Sequence, residues 1–266
     1  RRYPKIVGGI DEASGRAAED FYTRALQFDD RPDLNRTNGV WNVGSSEAAE
    51  LVKLAETTYR DVNIALANTF AVYAQENGID IAHVIDAANS QSYSHIHQPG
   101  IAVGGHCIPV YPHLYLAGHP DAKLVQAARE VNESMPASAV EVLAQKLDGL
   151  AGKKVAILGA SYRGGVKETA FSGVWSLVEE VNKLEGVPVV HDPLFTDKEL
   201  ENLGLKPFHL GQPSDGVIVQ TNHGSYTLLT QSDLPAAKVV YDGRRVLRVE
   251  NFPSTEIVVL GDGSGN

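Results

Sequence analysis

The chain has 266 residues, a net charge of −10, 43% hydrophobic and 21% charged residues, and a single cysteine. This is an ordinary globular composition with room for two cored domains; it lacks the surplus of Lys and Arg that general nucleic-acid binding requires and any apolar run of the ~18 residues a membrane span needs. One cysteine excludes an intrachain disulfide and points to a reducing compartment, the cytoplasm.

Residues 1–44 read as strand, helix, strand: an apolar stretch at 6–9, a helical stretch at 11–26, the polar loop Asp29-Asp30-Arg31-Pro32-Asp33, and a second strand at 40–43. The opening Arg1-Arg2-Tyr3-Pro4-Lys5 leads into a strand and not into a signal-peptide core. This segment is too small to stand alone and is expected to be the end of an α/β domain. A long helix is predicted over 46–77. Ser45 or Ser46 caps it, Glu47 sits in its first turn, apolar or small residues recur every three to four positions, and Asn77-Gly78 stops it. At 1.5 Å per residue it is roughly 45–50 Å long, enough to bridge domains or to pair with a second subunit.

A shorter helix follows at 80–88, then a glycine- and histidine-rich stretch from Ser90 to Pro112. Another helical region covers 122–147, where Pro136 is expected to kink or restart it. From Gly152-Lys153-Lys154 onward the pattern changes. Short apolar runs at 155–158, 187–191, 216–221, 239–241 and 257–260 alternate with helical or polar stretches, as in a parallel, doubly wound sheet, and 261–266 reads as a polar tail. Ligands of such sheets bind at the carboxyl ends of the strands, near 159–165, Asn222-His223 and 242–245. The implied division is 1–44, 45–150 and 151–266. Nowhere does G-x-G-x-x-G follow a strand, and Gly159-Ala160-Ser161-Tyr162-Arg163-Gly164-Gly165 lacks that spacing.

The densest chemistry lies in Val103-Gly104-Gly105-His106-Cys107-Ile108-Pro109. Paired glycines let backbone approach a ligand closely, and a cysteine after them sits on a tight turn where its sulfur can be exposed. The alternative is an inert, buried cysteine acting as a small hydrophobe.

Three stretches carry a resemblance. The helix segment from Glu50 to Glu56, continuing Tyr59-Arg60-Asp61-Val62-Asn63-Ile64-Ala65-Leu66-Ala67-Asn68, is similar to the central helix of the UDP-glucose/UDP-N-acetylhexosamine (nucleotide-sugar) 6-dehydrogenase family. Pro99-Gly100 with Gly104-Gly105-His106-Cys107-Ile108-Pro109 resembles that family's nucleophile loop, and Asp242-Gly243-Arg244-Arg245-Val246-Leu247 its C-terminal arginine motif. Three motifs in family order, over nearly the whole chain, make the likeness specific. It implies an α/β fold: the tail of an N-terminal NAD-binding domain whose main part precedes residue 1, a long central helix with a helical dimerisation domain, and a C-terminal Rossmann-like doubly wound sheet.

The resemblance also implies roles. Cys107 is the nucleophile of an NAD-dependent double oxidation that takes the C6 hydroxyl of a nucleotide-diphosphate hexose (UDP- or TDP-glucose, or UDP-N-acetylhexosamine) to the uronic acid through a thiohemiacetal and a thioester. Lys53 stabilises the oxyanion, with Thr57 one turn on along the same helix face. Gln98, Pro99, Gly100, Val103 and Gly104 wrap sugar and diphosphate, Tyr162 and Arg163 form an aromatic-basic pair at the diphosphate, and Arg244 reaches the substrate, an arginine fork matching phosphate geometry. Cys107, Ile108 and Pro109 face the cofactor, the main NAD site lying upstream. His106 points toward the N-acetylhexosamine branch, and a homodimer through the long helix is implied. The chain departs from the pattern at Thr57, where the family usually has Asn, at Tyr111, where it commonly has Asp, and at Ala170, where it often has Arg; the Glu that the family also uses would lie upstream of residue 1. Two rivals are a zinc site at His95, His97, His106 and Cys107, whose spacing matches no usual zinc motif, and a non-catalytic nucleotide-sugar-binding homologue.

Overall fold

In the computed structural model, which describes residues 1–264, Asp11 starts the first helix. Its carboxylate accepts the N–H of Ser14 at 2.7 Å while its own N–H donates to Ser14 Oγ at 3.2 Å, a reciprocal cap. The helix, α1 (Glu12–Ala25), connects β1 (Lys5–Gly9) to β2 (Val40–Ser45), and the two strands pair in parallel with Lys5 opposite Val40. These elements and the start of the next helix make one compact unit, Arg1 to Thr58; the rest of the chain makes a second.

The long helix, α2 (Ser46–Glu76), has 31 residues and spans the boundary between the units. Ser45 Oγ accepts the N–H of Ala48 at 3.2 Å. At the other end Gly78 takes φ +67° and the N–H of Ile79 returns to Ala74 O at 2.9 Å, the expected left-handed stop.

In the second unit, α3 (Ile81–Asn89) is capped by Asp80, whose carboxylate accepts the N–H of Ala82. The next helix, α4 (Tyr111–Gly118), has no forecast in the sequence: it is eight residues long, is not amphipathic and carries Pro112 in its first turn. The following one, α5 (Lys123–Lys146), is a single helix through Pro136, so of the expected kink or restart the restart does not occur.

Five strands, β3 (Lys154–Leu158), β4 (Val187–His191), β5 (Gly216–Val219), β6 (Val239–Asp242) and β7 (Glu256–Val259), form an all-parallel sheet in the order β4-β3-β5-β6-β7. Alternate residues serve alternate faces. Val155, Ile157, Ile218, Tyr241 and Val258 pack against Ala67 and Ala71 of α2, Met135, Val140 and Leu143 of α5, and Leu177 and Val181 of α6 (Val174–Lys183). Ala156, Leu158, Val217, Val219, Val240 and Val259 pack against Phe208, Tyr226, Leu229, Leu234 and Phe252. That second face is covered by loops and 3-10 turns (Gly224–Leu228, Gln231–Asp233, Val249–Asn251) where sheets of this kind commonly carry longer helices. A last short helix, α7 (Asp197–Asn202), follows β4 under a Thr196–Glu199 capping box.

Gly261, the first residue of the polar tail read at 261–266, is held by hydrogen bonds. Gly261 donates to Gln75 Oε1 at 2.9 Å and accepts the N–H of Ile81 at 2.8 Å. The end of that expected tail, 265–266, lies outside the described residues.

Candidate active site

The stretch between α3 and α4 has no regular structure, and three asparagines hold it in place of a sheet ladder. Asn89 donates to Ile96 O (2.9 Å) and accepts the N–H of the same residue (2.8 Å). Asn63, on α2, donates to His95 O (2.7 Å) and accepts from His97 N (2.8 Å). Asn68, a turn further on, accepts from Gly100 N at 2.8 Å. A primary amide offers the donor and acceptor of a peptide group, so each side chain substitutes for a missing strand partner.

Behind Asn68 lies a buried polar network. Its amide donates to Asn132 Oδ1 (2.9 Å), Asn132 donates to Asp61 Oδ1 (2.8 Å) and Asp61 O (2.9 Å), and Arg129 grips both oxygens of Asp61 at 2.6 and 2.8 Å. Asp61 and Asn68 are fully buried and Arg129 and Asn132 nearly so. Burial pushes the carboxyl of Asp61 up despite Arg129, which marks how completely water is excluded.

From Gly100 the loop runs along the carboxyl end of the sheet. Ile101 donates to Gly243 O at 3.2 Å. Arg244 donates from Nε to Gln220 O (2.7 Å) and from Nη2 to Ala102 O (2.8 Å), and burial lowers its guanidinium to about 10. At this crossing a Cβ on Gly100 would lie 2.5 Å from Arg244 Nη1, so the guanidinium would have to shift. Gly104 is the more tightly constrained, a Cβ on it meeting Tyr162 Cβ at 2.7 Å and the backbone oxygen of Phe171 at 2.9 Å. Gly105, at φ +95°, then donates to Ala170 O at 3.0 Å.

Cys107 follows as a free, half-buried thiol, its carbonyl accepting the N–H groups of Val110 (3.1 Å) and Tyr111 (2.9 Å) to begin α4. Beside the loop a cavity of ≈ 350 Å³ is lined by Val103, Pro109, His113, Glu133, Phe171 and Trp175, among others. The ring of His113 and the carboxylate of Glu133 lie 3.1 Å apart.

The chain leaves β3 toward β4 on one side and returns to β5 on the other, so the strand order reverses between β3 and β5. A crevice opens at such a point. At the carboxyl end of β4 the buried Asp192 accepts Ala160 N and Ser161 N at 2.8 Å each and faces His223 Nε2 at 3.1 Å. Burial pushes its carboxyl up, but His223 and the N–H groups of Ser161 and Leu194 bring it below its usual range. The turn from Tyr162 to Gly165 is pinned by Asn222 (2.9 Å to Gly164 N) and His223 (3.3 Å to Gly165 N). The guanidinium of Arg163 lies 5.8 Å from the centre of the Tyr162 ring.

The fold therefore gathers Gly100, Val103, Gly104, Cys107, Ile108 and Pro109 on one loop, with Tyr162, Arg163 and Arg244 at the adjoining carboxyl ends of the strands. Gln98 is exposed and Pro99 half-buried at the start of that loop. Lys53 and Thr57 belong to the first unit. Lys53 Nζ lies 3.7 Å from Glu56 Oε2, and the buried hydroxyl of Thr57 bonds carbonyls of its own helix, Lys53 O at 2.7 Å first. Among the described residues no three His, Cys, Asp or Glu are placed to hold a metal ion. Sequence reasoning missed Asn63, Asn68, Asn89, Asp192 and Glu168, because their partners are mostly backbone groups or residues distant in the chain.

Residues 47–134 match the central domain of the UDP-glucose/GDP-mannose dehydrogenase family. The chain is similar to the UDP-N-acetyl-D-mannosamine dehydrogenase of Methanocaldococcus jannaschii, 33% identical over 97% of this chain and 59% of that one. The Pyrococcus horikoshii protein of the same name is 31% identical over 98% and 60%. A solved UDP-D-ManNAc dehydrogenase from Pyrococcus horikoshii matches with a TM-score of 0.81 at 29% identity, over 99% of this chain and 61% of that one. The chain thus spans about three-fifths of the length of these relatives.

Proposed function

This chain belongs to the UDP-glucose/GDP-mannose dehydrogenase family, and on that premise we propose that it supplies the thiol and the nucleotide-sugar face of a nucleotide-sugar 6-dehydrogenase. The observation that carries the reading is Cys107, the only cysteine, on a glycine turn pinned by Asn68, Arg244 and the Tyr162 segment. The substrate class we favour is a nucleotide-diphosphate N-acetylhexosamine, supported by the names of the relatives and by His106.

In this reading the thiolate of Cys107 adds to the C6 aldehyde and holds it as a thiohemiacetal. After the second oxidation it holds the sugar as a thioester, until water releases the carboxylate. The backbone from Gly100 to Gly104 lies against the sugar and diphosphate, and Tyr162 with Arg163 closes over the diphosphate. Nicotinamide dinucleotide, when bound, accepts the hydrides, with Cys107, Ile108 and Pro109 facing it. Its pyrophosphate finds no cradle in this sequence. There is no G-x-G-x-x-G after a strand, and the carboxylate of Asp11 already fills the amino end of α1.

We further propose three functional segments (1–44, 45–150 and 151–266), a homodimer through α2 and a cytoplasmic location. No helix among the described residues is long and apolar enough to cross a membrane. The test of the activity is Cys107→Ala in the full-length protein, supplied with UDP-N-acetylhexosamines and NAD. Loss of acid formation with retained substrate binding is expected; acid formation near the wild-type rate would overturn the covalent reading.

A further inference from the structure

Hydrolysis of a thioester at Cys107 needs a base, and the stretch from Ser90 to Pro112 contains no Asp or Glu. The fold brings one from 62 residues away. Glu168 Oε2 lies 3.3 Å from Nε2 of His106, the residue next to Cys107. Its other oxygen accepts the N–H of Ala170 at 3.0 Å, and its backbone oxygen accepts the N–H of Tyr162 at 2.9 Å. Ala170 O in turn accepts from Gly105 N, so the carboxylate and the glycine turn are fixed to each other on either side of the pair.

We propose that His106 is the general base of the deacylation step and that Glu168 is its positioning residue. The proposal rests on reading Cys107 as the nucleophile. Glu168 accepts from Nε2–H, which leaves the lone pair of the neutral ring on Nδ1. Water adds through oxygen to the thioester carbonyl carbon, and its proton passes to Nδ1. The tetrahedral adduct collapses, the C–S bond breaks with its electron pair on sulfur, and the acid and the Cys107 thiolate part. The imidazolium then returns its proton to sulfur or solvent. No oxidant or reductant enters this step.

Stability does not account for the pair. The side chains are 66% and 42% exposed, and exposed ion pairs contribute about 0–1 kcal/mol. The exposure suits a base that must meet water. The Ala170 N–H, and then His106, hold the Glu168 carboxyl below its ordinary range, so it stays an acceptor at neutral pH. The other charged and titratable groups on 90–112 and 162–170 are Tyr93, His95, His97, Cys107, Tyr111, Tyr162, Arg163 and Lys167, whose ammonium is held by Glu199 at 2.5 Å.

The test needs neither sugar nucleotide nor cofactor. p-Nitrophenyl acetate transfers its acetyl group to Cys107, releasing p-nitrophenolate, and intact mass follows loss of the acetyl with time, Cys107→Ala giving the background. Wild-type acetyl-enzyme is expected to hydrolyse about 10²-fold faster than His106→Asn, along a pH profile with the ionisation of an imidazole. Glu168→Gln should slow it and move the midpoint to lower pH, because the ring loses its anionic partner. Added imidazole should restore His106→Ala. Equal deacylation rates in wild type and His106→Asn would overturn the proposal, as would a failure of Cys107 to take up acetyl. His106-dependent deacylation in a protein that oxidises no nucleotide sugar would instead defeat the dehydrogenase reading and leave the pair standing.

Discussion

The side-chain oxygen of Asn68 accepts the backbone N–H of Gly100 at 2.8 Å while its amide donates to Asn132 Oδ1 at 2.9 Å. One fully buried side chain of α2 therefore joins the glycine loop to α5 and to the Asp61–Arg129 pair. The loop is positioned by helix side chains, which explains how a segment without regular structure can present a thiol at a fixed place.

Asn68→Ala leaves the Gly100 N–H without its acceptor and Asn132 Oδ1 without its donor. The expected loss is about 1–3 kcal/mol for each buried group left unsatisfied. Denaturant unfolding measures it. Faster proteolysis between Ser90 and Pro112 should accompany the loss if the loop is what loosens.

Arg129→Met removes the cation from a buried carboxylate and should destabilise by about 3–5 kcal/mol. The double change Asp61→Leu with Arg129→Met should be less harmful than the sum of the single changes, since no charge is then stranded. Additive losses in a double-mutant cycle would show that the two side chains are not coupled.

The carboxyl of Asp192 is lowered in the fold by His223 and by backbone N–H groups, against the opposing effect of burial. A lowered folded value means that its stabilisation is complete above the unfolded carboxylate value of ~3.9 and is lost as pH falls through the folded value. Asp192→Asn should therefore be less stable at neutral pH and show a shallower loss of stability below about pH 4. Parallel stability–pH curves for the two proteins would contradict this.

In the second unit α2 carries an exposed apolar stripe at Tyr59, Leu66, Phe70 and Tyr73, positions that recur on one side of a helix. The proposed homodimer would cover it. Leu66→Glu with Phe70→Glu should shift the full-length protein from dimer to monomer in sedimentation at micromolar concentration. An unshifted dimer would place the interface elsewhere.

The strands of the sheet were legible in the sequence because each is a short apolar run bounded by turn residues, and α2 because its small and apolar positions recur with helical spacing. Cys107 and its glycines were legible by resemblance. What holds them was not. Asn63 and Asn68 were legible only as part of a helix motif and Asn89 not at all, since nothing in their spacing reveals that their partners are loop backbone groups up to 34 residues away. Glu168 is hidden in the same way, as is the engagement of the Thr57 hydroxyl with its own helix. Composition also does not reveal that Gly261 is tied down, its N–H donating to the side-chain oxygen of Gln75 and its carbonyl accepting the N–H of Ile81.

Arg244 and Gly100 should fail together. Two of the guanidinium's N–H groups donate to Gln220 O and Ala102 O, and its Nη1 occupies the space that a Cβ on Gly100 would enter at 2.5 Å. An Ala at 100 must push the guanidinium aside, and because that group is bonded on both sides it cannot swing away without breaking those bonds. Arg244→Lys breaks them by another route, since one ammonium on a flexible stem does not reproduce a planar fork spanning two carbonyls. Each change alone should therefore release the segment from Gly100 to Ala102 and weaken the proposed nucleotide-sugar binding about 10-fold or more, the cost of losing roughly one charged hydrogen bond. In the Arg244→Lys background, Gly100→Ala should cost markedly less than it does alone, a coupling of about 0.5–3 kcal/mol in a double-mutant cycle read by denaturant unfolding. Strict additivity would mean that the glycine is required for some reason other than room for the arginine.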